Sequence, residues 1–148
     1  MPLDPRVIGY LHRALNHELN MVQHYLTQSC LCEFWGEQAA AQHFRRDANE
    51  EQDHAAELIR RMLALGLVPN GSQLNAVRPG RDMDEMLLID RRLEADAVRL
   101  YDEAARYCSR HGDQASAVLF TRLLQDESGH LEVLDQAIAA ARTERQHG

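Results

Sequence analysis

The sequence lacks the features that mark nucleic-acid-binding and membrane-spanning proteins. None of its 148 residues is Lys, and 16 Arg face 23 Asp and Glu, which leaves a net charge of −7. This excess of acid argues against a nucleic-acid surface, because such surfaces need clustered cations that displace counterions from phosphates. No stretch approaches about 18 consecutive apolar residues, so the sequence predicts no membrane-spanning helix. The composition is compatible with cationic ligands, metal ions included.

Cysteine is scarce as well. The three cysteines, Cys30, Cys32 and Cys108, are too few and unevenly placed for a disulfide framework. Cys30 and Cys32 would lie about 200° apart around a helix, so they cannot easily share one metal ion. We therefore predict structural thiols. Because the first residues also lack the apolar core of a signal peptide, we expect a cytoplasmic protein.

Aromatic and β-branched residues are few, whereas the strong helix formers Ala, Leu, Arg, Glu and Gln dominate. Helix-breaking residues fall at few places and divide the chain into four long segments. The predicted helices run from Asp4-Pro5 to Gly36, from near Gln38 to Gly66, from Asp82 to about His111, and from Asp113 to about Arg142. The Asp residues at three of these starts are predicted N-caps, and residues 143–148 are expected to fray.

The lengths of the connections predict the topology. Short connections join the first helix to the second and the third to the fourth, so each pair should form an antiparallel hairpin. Between them, the segment from Gly66 to Arg81 can span about 50 Å, enough to cross the length of a bundle. Helices two and three can therefore be parallel. The prediction is an all-α, ferritin-like four-helix bundle with one long crossover, forming a single domain over residues 1–148.

A helix in a bundle buries an apolar seam, the line of residues spaced alternately by three and four. Each predicted helix carries a Glu near the middle of this seam. The four are Glu18, Glu51, Glu94 and Glu127. Burying one ionised carboxylate without a partner costs several kcal/mol, so four such positions in one chain indicate a function for these residues. No Arg lies on these seams to pair with them. The carboxyl groups must therefore be protonated, matched by other cations, or bound to metal.

Two of these glutamates begin the same short motif. The segments Glu51-Gln-Asp-His54 and Glu127-Ser-Gly-His130 are both Glu-x-x-His, in which both side chains share one helix face. A third occurrence, at Glu144, lies beyond the last apolar seam residue and is predicted to have no role. One Glu from each of two helices with Glu-x-x-His from the other two is the di-metal carboxylate pattern of four-helix bundles. Oxygen and imidazole ligands favour Fe²⁺ or Mn²⁺, and four carboxylates balance two divalent ions.

At these residues the sequence resembles the bacterioferritins over nearly its whole length. The likeness includes YLHRALNHELNMVQHYLTQ around Glu18, EEQDHAAELIRRMLALGLVPN around His54, LEADAVRLYDEA around Glu94, and LLQDESGHLEVL around His130. The resemblance implies a cage, of 24 subunits or alternatively 12, with an iron-oxidising centre of two Fe ions in each subunit. It further implies terminal ligands at Glu18 and Glu94, bridging ligands at Glu51 and Glu127, and one iron bound by each of His54 and His130.

The chain also departs from this family. Bacterioferritins bind haem between two subunits through a Met, and the corresponding position here is Gln52, whose amide is a poor iron ligand. We therefore predict no haem, and the resemblance leaves open a mixed cage in which this chain is the ferroxidase subunit beside a haem-binding sister subunit. The chain stops soon after His130, so the short fifth helix of the family is expected to be shortened or missing.

The main hypothesis is iron storage and detoxification by a ferroxidase that oxidises Fe²⁺ with O₂ or H₂O₂, with a ferredoxin-type reductant releasing iron. Tyr25, two turns from Glu18 on the same seam, is predicted to relay an electron, while Tyr101 has the same spacing from Glu94 and is the weaker candidate. Three alternatives stay open: a ferritin-like di-iron oxidase or peroxidase that forms no cage, a DNA-protecting ferritin, and a helical interaction protein.

Overall fold

The structure is a computed structural model, and it describes residues 3–147. It contains four α-helices and, within these residues, no strand, which confirms the predicted all-α class. The helices are α1 (Pro5–Phe34), α2 (Gln38–Ala64), α3 (Met83–Arg110) and α4 (Gln114–His147). The carboxylates of Asp4, Asp82 and Asp113 accept hydrogen bonds from backbone N–H groups in the first turns of α1, α3 and α4, at 2.8, 2.9 and 3.0 Å, as N-caps do.

The hairpin turns depend on glycine, whereas the end of α4 differs from the prediction. Gly36 and Gly112 have φ angles of 77° and 82°, a left-handed conformation that ends a helix at little cost.

Helix α4 continues to His147, so the expected end near Arg142 and the fraying of residues 143–147 were wrong. No Gly or Pro interrupts this segment, and Arg145 forms an ion pair with Asp84 of α3. Gly148 lies outside the described residues, and residues 3–147 contain no fifth helix.

The crossover between α2 and α3 runs beside α1 in the same direction. The side chain of Asn16 bonds the backbone of residues 70 and 73, and that of Asn20 bonds residues 73 and 75. Farther along α1, the amide of Gln28 donates to the carbonyl of Pro79 at 2.9 Å. The crossover therefore spans the bundle, so that α2 and α3 run parallel, as predicted. Among residues 3–147, no helix is long and apolar enough to cross a membrane.

The apolar core is divided into two clusters by a polar layer. One cluster holds Leu15, Ala55, Ala97 and Leu123, while the other holds Met21, Ala48 and Met86. On α1, α2 and α3, residues of these two clusters lie on either side of Glu18, Glu51 and Glu94 respectively, and Glu127 follows Leu123 by one turn of α4. The helix packing thus carries all four carboxyl groups to one level of the bundle.

Candidate metal centre

The four seam glutamates are fully buried, with no side-chain surface left to solvent. They form two overlapping groups with the histidines of the Glu-x-x-His motifs. One group is Glu18, Glu51, His54 and Glu127, and the other is Glu51, Glu94, Glu127 and His130. Within each group, one potential ligand atom per residue lies within 4.8 Å of all the others. Two positions for an ion therefore share Glu51 and Glu127, while each position has its own Glu and its own His.

Half of the twelve side-chain nitrogen and oxygen atoms of these six residues are buried without a hydrogen-bond partner. Six such buried atoms are Glu18 Oε2, Glu51 Oε1 and Oε2, His54 Nδ1, Glu94 Oε2 and Glu127 Oε1. Leaving a buried polar group unsatisfied costs about 1–3 kcal/mol, so a fold rarely gathers several of them at one place. Two bound cations would require such atoms close together, as they are in each group. Oxygen and imidazole nitrogen are also ligand types that suit iron. The residues therefore fit a di-metal site.

Each histidine has one ring nitrogen facing the glutamates and the other facing an acid near the surface. The Nδ1 of His54 lies 3.0 Å from Glu127, and its Nε2 lies 2.9 Å from Asp126. The Nδ1 of His130 lies 3.3 Å from Glu127, and its Nε2 contacts Glu50. A carboxylate on the outer nitrogen orients an imidazole and raises its basicity, as it does at many metal sites.

The two remaining glutamates are each held by a tyrosine from the facing helix. The hydroxyl of Tyr25 on α1 donates to Glu94 on α3 at 2.6 Å, and the hydroxyl of Tyr101 on α3 donates to Glu18 on α1. Burial and these carboxylates raise the pKa of both tyrosines well above the usual value, so both hydroxyls stay protonated. The predicted relay residue Tyr25 therefore contacts the cluster, although through Glu94 rather than Glu18.

The carboxyl groups divide into two kinds by protonation. Burial, together with the charge of neighbouring carboxylates, raises the pKa of Glu18 and Glu94 well above the usual value. Burial acts in the same direction on Glu51 and Glu127, but the close approach of the other glutamates and of both histidines outweighs it and lowers the pKa of each. Glu51 and Glu127 are therefore ionised at neutral pH, while Glu18 and Glu94 keep their protons.

Both histidines carry a proton in the same environment. Burial alone would lower the pKa of His130, but Glu127 and Glu51 raise it to about 11. The pKa of His54 is likewise raised by Glu127, Glu18 and Glu51 against the effect of burial. The two imidazolium charges thus balance the ionised carboxylates of Glu51 and Glu127.

An acidic pocket opens beside these histidines, on the side of the bundle formed by α2 and α4. It has a volume of about 380 Å³ and is lined by Glu50, Asp53, His54, Glu57, Asp126 and His130. Since the two histidines lie between this pocket and the buried glutamates, the pocket offers a short path for a cation from solvent to the cluster.

Comparison with known proteins agrees with this geometry. A sequence profile of the ferritin-like domain family matches residues 8–143. The chain is 38% identical over 136 residues to bacterioferritin from Rhodobacter capsulatus, which covers 92% of this chain and 84% of that protein. The chain belongs to the bacterioferritin family. Bacterioferritin from Brucella melitensis is 36% identical over 132 residues, 89% of this chain and 82% of its own length.

The solved structure of Rhodobacter capsulatus bacterioferritin is similar in fold, with a TM-score of 0.92 at 36% identity, over 97% of this chain and 89% of that one. That structure is described as having a metal-free dinuclear site and a haem iron. The resemblance to bacterioferritins inferred from sequence motifs is confirmed. In this chain Gln52 is exposed on α2, one residue from the buried Glu51.

Two residues at the centre could not be singled out from the sequence. Asp126 and Glu50 were not singled out, although each lies next to a predicted ligand in the sequence. Both also lie four residues before a motif histidine, which is a contact spacing within a helix. The structure instead pairs them across helices, Asp126 with His54 and Glu50 with His130.

Proposed function

We propose that this protein oxidises Fe²⁺ to Fe³⁺ at a di-iron centre inside its helical bundle and stores the ferric iron in a multi-subunit cage in the cytoplasm. One observation carries the proposal: two ligand groups share Glu51 and Glu127, and each is completed by one further Glu and one His. Two metal ions held by shared carboxylates lie about 3.5–4 Å apart, the separation at which a pair of ions can act on one small molecule.

The proposed roles follow from the two groups. Glu51 and Glu127 would be shared by both irons, Glu18 with His54 would complete one position, and Glu94 with His130 would complete the other. Four ionised carboxylates then offset the charge of two Fe²⁺. When bound, the two Fe²⁺ would supply the redox chemistry: one electron from each, with two protons from water, would reduce O₂ to H₂O₂ or H₂O₂ to two H₂O.

The chain's own residues hold and orient these ligands. Asp126 and Glu50 fix the imidazole rings from outside, and Tyr101 and Tyr25 fix the terminal glutamates from the facing helices. Apolar residues on either side of the layer exclude water from it. In this arrangement Tyr25 is placed to give one electron to the O₂ or H₂O₂ that is reduced at the centre, while its hydroxyl proton stays in the hydrogen bond to Glu94.

Fe²⁺ oxidation by purified variants tests the site. Because Glu51→Gln and Glu127→Gln each remove a carboxylate shared by both positions, we expect each to lose both bound ions and nearly all rapid oxidation. Glu33→Gln is the matched control, since it changes an exposed Glu of α1 about 22 Å along the helix from Glu18. Oxidation at the wild-type rate in both bridging variants would contradict the assignment.

Native mass measurement, before and after addition of Fe²⁺, tests storage. We expect a cage of 24 subunits, with 12 as the smaller alternative, that gains many irons per subunit. A monomer or dimer that oxidises iron without accumulating it would instead show the second candidate function, a ferritin-like oxidase or peroxidase that forms no cage.

Residue 52 favours a haem-free subunit within this proposal. An exposed amide at Gln52 offers no sulfur to a haem iron, so haem in a mixed cage would come from a sister subunit, with a ferredoxin-type reductant releasing the stored iron. Co-expression with a haem-binding bacterioferritin subunit, followed by native mass measurement, would show whether mixed cages form.

A further inference from the structure

A second pocket lies on the other side of the bundle from the acidic one, between α1, α3 and the crossover. Its volume is about 210 Å³, which is small for an organic ligand but ample for an ion of a few heavy atoms. The polar side chains that line it belong to His17, Asn20, His24, Asn75, Arg78 and Arg92. We refer to it as the outer pocket.

The charge of the outer pocket is opposite to that of the molecule. No acidic side chain of residues 3–147 lines it, although the whole chain has a net charge of −7. Within the described part of the chain, Arg78 and Arg92 form no ion pair, whereas the adjacent Arg91 pairs with Asp135 at 2.5 Å. Two unpaired guanidinium groups at one opening are a favourable arrangement for an anion, because Arg binds planar and tetrahedral oxyanions through paired N–H groups.

One residue of the pocket wall, His17, carries a buried polar atom without a partner. The Nε2 of His17 is buried and makes no hydrogen bond within residues 3–147. The ring of His17 is held edge-on against Tyr101, with 6.5 Å between ring centroids, so it cannot easily turn elsewhere. In the tautomer that carries a hydrogen on Nε2, this nitrogen can donate a hydrogen bond to an anion in the pocket.

The wall formed by the crossover is already in place. Asn20 accepts a hydrogen bond from the backbone of Asn75 at 2.7 Å and donates to the carbonyl of Gln73 at 3.3 Å. These bonds fix the segment that carries Arg78. An anion would therefore find the pocket formed and would not have to order a loop, which lowers the cost of binding.

We propose that the outer pocket binds a small oxyanion of the phosphate type, held by Arg78 and Arg92 at the opening and by the Nε2–H of His17 inside. The absence of acidic lining residues disfavours a metal cation, and the small volume disfavours a nucleotide or a peptide. The anion would lie one layer of side chains from the metal centre, because His17 precedes Glu18 and Leu93 precedes Glu94.

Titration of the metal-free protein with inorganic phosphate, followed by calorimetry at constant ionic strength, tests the proposal. We expect one phosphate per subunit. The double variant Arg78→Gln/Arg92→Gln should bind about tenfold more weakly or worse, since it removes two charge-assisted contacts. His17→Leu should weaken binding as well. Arg60→Gln, which removes an exposed Arg of α2 that lines neither pocket, should bind phosphate like the wild type.

The same experiment can overturn the proposal. Absence of saturable binding at millimolar phosphate would do so, as would equal weakening in Arg60→Gln, which would indicate nonspecific attraction by net charge. A double variant with altered assembly mass would show that these arginines bind another subunit instead. No iron is used, so failure here leaves the proposed ferroxidase function intact, and loss of iron oxidation would leave phosphate binding intact.

Discussion

Loading the metal-free protein with Zn²⁺, a redox-inert divalent ion, should release four protons per subunit at pH 7. Two come from Glu18 and Glu94, whose raised pKa values keep them protonated without metal. Two come from His54 and His130, which are cationic in the metal-free cluster. All four groups must give up these protons, because carboxylates and neutral imidazoles are the forms that bind metal.

The expected release of four protons follows from the charge of the cluster without metal and with metal. Without metal, two ionised carboxylates, Glu51 and Glu127, are balanced by two imidazolium rings, and the other two carboxyl groups are neutral. With metal, four carboxylates are balanced by two divalent ions. The buried layer is neutral in both states, as the high cost of net charge in the interior demands. Binding therefore exchanges two protons for each ion, so affinity should fall about 100-fold for each ion when the pH is lowered by one unit.

Calorimetry in buffers of different ionisation enthalpy measures the released protons directly. The variant Glu94→Gln should release three, because the amide carries no proton to give up, while Glu33→Gln should release four, as the wild type does. Release of fewer than two protons per subunit by the wild type, or an affinity independent of pH between 6 and 8, would refute this account of the charge balance.

Three further results are expected. In the wild type, electron paramagnetic resonance after Fe²⁺ oxidation should detect a tyrosyl radical. Tyr25→Phe should still bind two Zn²⁺ but should lack this signal, whereas a persisting signal would exclude Tyr25 as the relay. Asp126→Asn should weaken metal binding by about 10–100-fold in a chelator competition, because His54 loses the carboxylate that orients it. The wild type should give no stoichiometric Soret band with added haem, while Gln52→Met should gain one, and a band with paired axial sulfur ligation in the wild type would overturn the haem-free prediction.

The position of the carboxylate layer could be predicted from the sequence because two signals coincide there. A seam with a period of three and four residues defines the buried face of each helix, and Glu is rarely placed on such a face without a purpose. The hairpin connections then bring the four seams together. The sequence pattern therefore predicts Glu18, Glu51, Glu94 and Glu127 at one level of the bundle.

The contacts around that layer could not be predicted in the same way. Whether Tyr25 bonds the Glu of its own helix or that of the facing helix depends on the rotation and axial offset of α1 against α3, which no sequence period specifies. Helix α4 shows a related ambiguity, since apolar residues occur on several of its faces. Of the two adjacent leucines on this helix, Leu123 is fully buried and Leu124 only partly.

The layer also shows that the two halves of the chain are built to one plan. Glu51 follows Glu18 by 33 positions, and Glu127 follows Glu94 by 33; Tyr25 and Tyr101 each follow a terminal glutamate by seven. Each hairpin thus supplies one terminal carboxylate, one tyrosine and one Glu-x-x-His motif, and each tyrosine serves the opposite hairpin. A single hairpin of about half this length, associating with a copy of itself around a two-fold axis, would present the complete set of metal-facing groups. The long crossover carries none of these metal-facing groups, and joining two hairpins in one chain leaves each half free to differ in sequence from the other.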